Sequence, residues 1–216
     1  MSAVATRSHA DLGKLIMIPS AAVMLTLDLI ALGHGSRGGT AGALKWLATG
    51  LVCAFYLLII WCYVRRGRAT ASSRSLTAHV AAVAATMMPF AFPLLRAAPP
   101  GVGTQLASDA LLVAGTTWSV WALRSLGENL SVLAQARGLA DRGPYRWVRH
   151  PLYTGELVSA LGLAIAAGTL AAAVAWVVLC LLQGYRAVRE EQVLLRALPG
   201  YPSYRSRTAA LLPGLF

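Results

Sequence analysis

Apolar residues run through the chain in long blocks, and polar residues are confined to the gaps between them. Four blocks, about 15–33, 43–64, 76–95 and 104–126, reach the roughly 20 residues a helix needs to cross a bilayer. A further block, 152–185, is too long for one ordinary crossing but matches two short helices, with Gly168-Thr169 near the middle as the turn. Pro19, Pro89 and Pro93 predict kinks or ends within their helices, and Ala98-Pro99-Pro100-Gly101 marks a turn. The pattern predicts an all-α polytopic membrane bundle of about five to six transmembrane segments, the last two forming a helical hairpin. Beyond residue 185, Glu190, Glu191, Leu194, Leu195 and Leu198 keep helical spacing, so the last helix runs on into a cytoplasmic C-terminal helix. The chain then divides into a four-helix transmembrane region, 1–126, and a region of loop, hairpin and tail, 127–216, that carries the polar chemistry.

Charge orients these elements. Arg65, Arg66, Arg68 and Arg74 place the loop after the second helix in the cytoplasm, whereas the loop after the third holds only Arg96. The polar stretch 127–150 then returns to the cytoplasm. The tail carries Arg186, Arg189, Arg196, Arg205 and Arg207, so it too belongs there, and 152–185 must cross an even number of times. The loop holding Arg37 and Lys45 is about as basic as the N-terminus and orients nothing by itself.

Composition agrees: 57% of the 216 residues are hydrophobic and 12% charged, too apolar for an ordinary soluble domain. The formal net charge of +11 lies in short runs between apolar blocks, which suits anionic lipid headgroups and not nucleic acid. Cys53, Cys62 and Cys180 fall inside apolar stretches without metal-ligand spacing, so neither a disulfide framework nor a metal site is expected. The first apolar run is long for a signal peptide and is read as a retained helix.

Two charged clusters bracket the predicted hairpin. Before it stands Gly143-Pro144-Tyr145-Arg146-Trp147-Val148-Arg149-His150-Pro151-Leu152-Tyr153-Thr154-Gly155-Glu156, and after it Arg186-Ala187-Val188-Arg189-Glu190-Glu191. Taken singly, Arg149-His150-Pro151 would be an interfacial anchor and Arg186/Glu190 a surface ion pair four residues apart. If the hairpin closes, the two clusters form one site at the cytoplasmic face.

The run at 143–155, the Glu190-Glu191 pair a hairpin later, and Tyr201, Tyr204 and Leu212-Pro213-Gly214 resemble the isoprenylcysteine carboxyl methyltransferases and their bacterial relatives, kin to membrane phospholipid methyltransferases. The resemblance covers about 126–216. It implies an integral-membrane enzyme, on a bacterial inner membrane, that moves a methyl group from S-adenosylmethionine to a lipophilic or amphiphilic acceptor. The cofactor contacts it implies are Tyr145, the His150-Pro151-Leu152-Tyr153 run, Glu190, and the preceding Arg137-Gly138-Leu139-Ala140, with Arg149, Gly155 and Glu191 in the same cradle. Arg186 corresponds to the substrate-side arginine.

The chemistry suits those roles: the cofactor carries a sulfonium, an amino group and a carboxylate, matched by carboxylates, aromatic faces and basic donors. A carboxylate acceptor needs no base, whereas an amine or thiol does, and Glu156 and Asp28 are candidates for it. Two other readings stand beside this one, an NADPH-dependent membrane reductase of sterol-reductase type and a non-catalytic scaffold. The Glu190-Glu191 pair speaks against a phosphate-rich ligand there.

Overall fold

The computed structural model describes residues 12–33, 39–67, 71–72, 75–131, 135–136 and 139–212. Helices dominate. Helix α1 is Leu12–Gly33, α2 Gly39–Arg65, α3 Leu76–Met87 and α4 Val102–Leu126. After a polar stretch come α5 (Pro151–Ala167), α6 (Leu170–Ala197) and the short α7 (Tyr201–Ser206). Five helical segments among the described residues are long and apolar enough to cross a membrane; α5, at 17 residues, is shorter.

Two of the three prolines end their helix as expected. Chain order at α3 relaxes into a 3-10 segment, Met88–Leu95, with Pro89 in its first turn and Pro93 inside it, because neither ring nitrogen can donate to the helical ladder. Pro19 is accommodated within α1. The hairpin turn falls at Gly168-Thr169: Gly168 caps α5 with φ 66°, a left-handed conformation that favours glycine, and the Thr169 hydroxyl accepts from Ala172 N to cap α6. Thr169 Oγ1 also donates to the Leu95 carbonyl at 2.9 Å, so the hairpin turn lies at the same end of the bundle as the exit of the 3-10 segment.

The opposite end gathers the basic loops. Arg66, buried, stacks over the Tyr63 ring at 4.0 Å and donates to the Leu130 carbonyl at 3.2 Å. The two-residue strand β1 (Ala71–Ser72) pairs antiparallel with β2 (Gln135–Ala136). The loops after α2 and α4 therefore meet on one face, as their charge predicts. Helix α6, 28 residues or about 42 Å at helical rise, exceeds a hydrocarbon core of roughly 30 Å, so its last turns extend past the bundle on this face.

Helix α4 makes its most extensive contact with α5. A β-carbon on Gly115 would lie 2.6 Å from the Gly155 carbonyl oxygen, one on Gly155 2.7 Å from the Gly115 carbonyl, and one on Gly162 2.7 Å from the Ser108 carbonyl. Ser108 Oγ donates to the Gly162 carbonyl at 2.8 Å. Without a hydrophobic driving force between helices in lipid, such close backbone approach supplies packing and cross-helix hydrogen bonds. Gly115→Leu or Gly155→Leu should therefore cost about 1–3 kcal/mol through overpacking. Gly50→Leu, which opens onto empty space, should stay within about 0.5 kcal/mol of the parent; thermal unfolding in detergent reads both.

Candidate active site

The hairpin brings the two charged clusters together. His150 ends the polar stretch and precedes Pro151, the first residue of α5, whose missing N–H costs nothing there. The His150 ring is buried and stacks on that of Tyr153, three residues on, with centroids 5.2 Å apart and planes 3° from parallel. Tyr153 Oη donates to Glu190 Oε2 at 2.7 Å. His150 Nε2 lies 3.2 Å from Glu191 Oε1, and Nδ1 3.8 Å from Glu190 Oε2.

Glu191 is more crowded than Glu190. Its Oε1 accepts from Arg149 Nε at 2.7 Å as well as from His150, and its Oε2 pairs with Arg205 Nε at 3.1 Å. Arg149 also donates through Nη1 to the carbonyls of Arg205, at 3.1 Å, and Thr208. The tail is laid along this cluster: Arg149 N donates to the Ala209 carbonyl, His150 N to the Ala210 carbonyl, and Thr154 Oγ1 to the Leu211 carbonyl at 2.6 Å. Tyr204 Oη donates to the Tyr145 carbonyl at 2.7 Å. Burial, and then the negative field of Glu190, push the Tyr145 phenol well above its ordinary range, so it is a neutral group at physiological pH.

Arg186 is buried, not a surface partner of Glu190: its guanidinium lies over the Tyr153 ring at 4.6 Å and Nη1 donates to Gln183 Oε1 at 2.9 Å. The same Gln183 amide donates through Nε2 to Glu156 Oε2 at 2.6 Å. Gln183, fully buried, was invisible to motif reading; the signal was a lone amide within an apolar block, three residues before Arg186.

Beside these groups opens a cavity of about 450 Å³, reached by α1, α2, the end of α3, the 3-10 segment, α4, α5 and α6. Its wall is mostly apolar, with Met17, Met24, Phe55 and Phe90 among the larger side chains, and Tyr153, Glu156 and Arg186 form its polar wall. Asp28 lines it from α1.

The other expected residues fall as follows. Leu152 lines the cavity and Pro151 is buried. Leu139 and Ala140 precede the 3-10 turn Gly143–Arg146, with Leu139 beside the Gly200 turn. Gly155 sits against Gly115 and Ser119 of α4, and that contact alone accounts for a glycine there. Arg137 and Gly138 lie outside the described residues. No group of three or more His, Cys, Asp or Glu among the described residues could hold a metal ion.

Residues 104–199 match the family model of the phospholipid methyltransferases. The fold is similar to the solved structure of a eukaryotic intramembrane Ras methyltransferase, isoprenylcysteine carboxyl methyltransferase, with a TM-score of 0.54 over 93% of this chain and 76% of that one, at 18% identity. A comparison with curated proteins finds no match.

Removing the carboxylate at the centre of the clamp leaves Arg149, whose side chain is only 7% exposed, without its counter-ion. Glu191→Ala should cost roughly 3 kcal/mol and expose the tail from 201 to 212 to protease, whereas Arg189→Ala, on an outer hydrogen bond, should do neither. Limited proteolysis with mass spectrometry distinguishes the two.

Proposed function

We propose that the chain is a membrane methyltransferase of the isoprenylcysteine carboxyl and phospholipid methyltransferase type, using S-adenosylmethionine to methylate a lipophilic acceptor lodged between its helices; the match of residues 104–199 and the similar fold support this reading. One observation carries this reading: Tyr153 and Arg186 belong both to the polar cluster on the hairpin and to the wall of the apolar cavity. A site with one polar and one apolar side suits a polar methyl donor meeting an amphiphile.

The residues present fit that donor. Glu190 is about a quarter exposed, and only its Oε2 accepts from Tyr153 among the described residues, which leaves Oε1 for a cationic group. The Tyr153 ring is flanked by the His150 imidazole and the Arg186 guanidinium, so Glu190 is the group that matches the cationic part of the donor. When bound, S-adenosylmethionine supplies an electrophilic methyl group. Arg149 and Glu191 have their hydrogen-bonding capacity taken up by each other, by His150 and by the tail, so on this reading they position the cradle, while Glu190, Tyr153, His150 and Tyr145 line it. Leu139, Ala140 and Leu152 close its edges. Arg186, at the cavity wall, holds and orients the acceptor atom; in-line alignment supplies much of the rate in such a displacement. The basic loops on this face support a cytoplasmic orientation for it, and the inner membrane of a bacterium is the location that the sequence resemblance implies.

Calorimetry on purified protein tests the reading. S-adenosylmethionine or its demethylated product should bind and NADPH should not; the reverse would overturn it. Glu190→Ala should weaken cofactor binding about tenfold or more, the worth of one charge-assisted contact. Arg186→Ala should abolish transfer while sparing cofactor affinity, and equal loss of affinity in both variants would show that the roles are divided wrongly.

A further inference from the structure

Glu156 is the acid nearest the expected point of reaction that the reading above leaves without a task. It stands on α5 one turn deeper than Tyr153 and lines the cavity. Its Oε2 is held by Gln183, and because the Gln183 amide donates to Glu156, its carbonyl is free to accept from Arg186. One amide thus fixes a carboxyl and a guanidinium side by side at the cavity wall. Glu156 Oε1 accepts no hydrogen bond from any described residue. The carboxyl is pinned by one oxygen and presents the other.

This pairing discriminates among acceptors by charge. A carboxylate brought to Arg186 would also meet Glu156, a like charge in a low-dielectric wall. An ammonium brought to Glu156 would meet Arg186 by the same logic. A neutral hydroxyl satisfies both: its O–H donates to Glu156 Oε1 and its oxygen faces the guanidinium. We propose that the acceptor is a neutral hydroxyl on an apolar stem, with Glu156 as the general base that takes its proton.

The balance is complete. The hydroxyl proton passes to Glu156, the acceptor oxygen forms a bond to the methyl carbon, and the bond from that carbon to the sulfonium sulfur breaks with its electron pair on sulfur. Arg186 opposes the negative charge that develops on oxygen as the proton leaves. Glu156 then returns its proton to solvent after the ether departs. The inference rests on the reading of the chain as an S-adenosylmethionine-dependent enzyme for its chemistry, but its charge preference belongs to the protein alone.

The test therefore begins without cofactor. Octylphenol, octanoate and octylamine are titrated into purified protein in detergent, with tryptophan fluorescence or calorimetry as the readout. Octylphenol should bind most tightly, by about tenfold over either ion, the size of one unfavourable charge contact. In Glu156→Gln the isosteric amide can still accept from Gln183, and octanoate should gain affinity about tenfold once the like charge is gone. With S-adenosylmethionine added, wild type should methylate octylphenol, and Glu156→Gln should lose that rate by about 10²-fold or more, the usual worth of a general base. An alkyl dinitrophenol, already ionised at neutral pH, should largely restore the variant.

Tighter binding of octanoate than octylphenol by wild type overturns the proposal without any variant. So does methylation of octylphenol by Glu156→Gln at the wild-type rate, or a variant equally slow on the ionised phenol, which would make Glu156 structural. Failure of the protein to bind S-adenosylmethionine would instead strike the reading of the enzyme and leave the charge preference to be judged on its own.

Discussion

Glu191 sits where Arg149, His150 and Arg205 converge, at 2.7, 3.2 and 3.1 Å, and the four residues come from three parts of the polar face. Arg149 and His150 end the stretch before α5, Glu191 belongs to α6, and Arg205 to the tail. Burying a carboxylate and a guanidinium this way is unfavourable unless the remaining donors are satisfied, and Arg149 meets that condition through the carbonyls of Arg205 and Thr208. The clamp closes the hairpin at its open end, while Gly168-Thr169 fixes the other end. Everything that touches the cavity from α5 and α6 depends on that closure.

A second constraint acts across the bundle. The glycine and serine stripe between α4 and α5 brings two backbones close enough that no side chain fits between them. Helix α5 is thereby fixed on one side by α4 and on the other by the clamp. Its face toward α6 carries His150, Tyr153 and Glu156, so their spacing is set by two independent contacts. Pre-organisation of this kind matters where alignment carries much of the rate.

Much of this was legible in the chain. The hairpin followed from block length and charge alone, because 152–185 is too long for one crossing and the basic residues on both sides of it call for an even number of passes. The meeting of the two clusters followed from the hairpin. Other parts were hidden for physical reasons. The α4–α5 contact is made by small residues that carry almost no hydropathy signal, so Gly155 read as part of a motif and not as a packing residue. Arg186 and Glu190 looked like a surface pair by spacing, and only the cavity shows why the guanidinium is buried. The tail's hold on Arg149 and His150 runs through backbone carbonyls, which no side-chain pattern encodes.

Helices α5 and α6 run antiparallel, and their polar groups meet in order. Glu156 meets Gln183, Tyr153 meets Arg186 and Glu190, and His150 meets Glu191: as residue number rises on α6 it falls on α5. The six steps from His150 to Glu156 span about 9 Å at helical rise. The ladder therefore grades the site by depth, from fully paired ions beside the tail, through an aromatic ring flanked by an imidazole and a guanidinium, to a single carboxyl and amide within the apolar wall. Paired ions stand at the first end and the apolar room of the cavity opens at the other. On the proposed function, reaction between donor and acceptor falls at the middle rung, where Tyr153 and Arg186 stand, and the grading of the ladder needs no moving part to put it there.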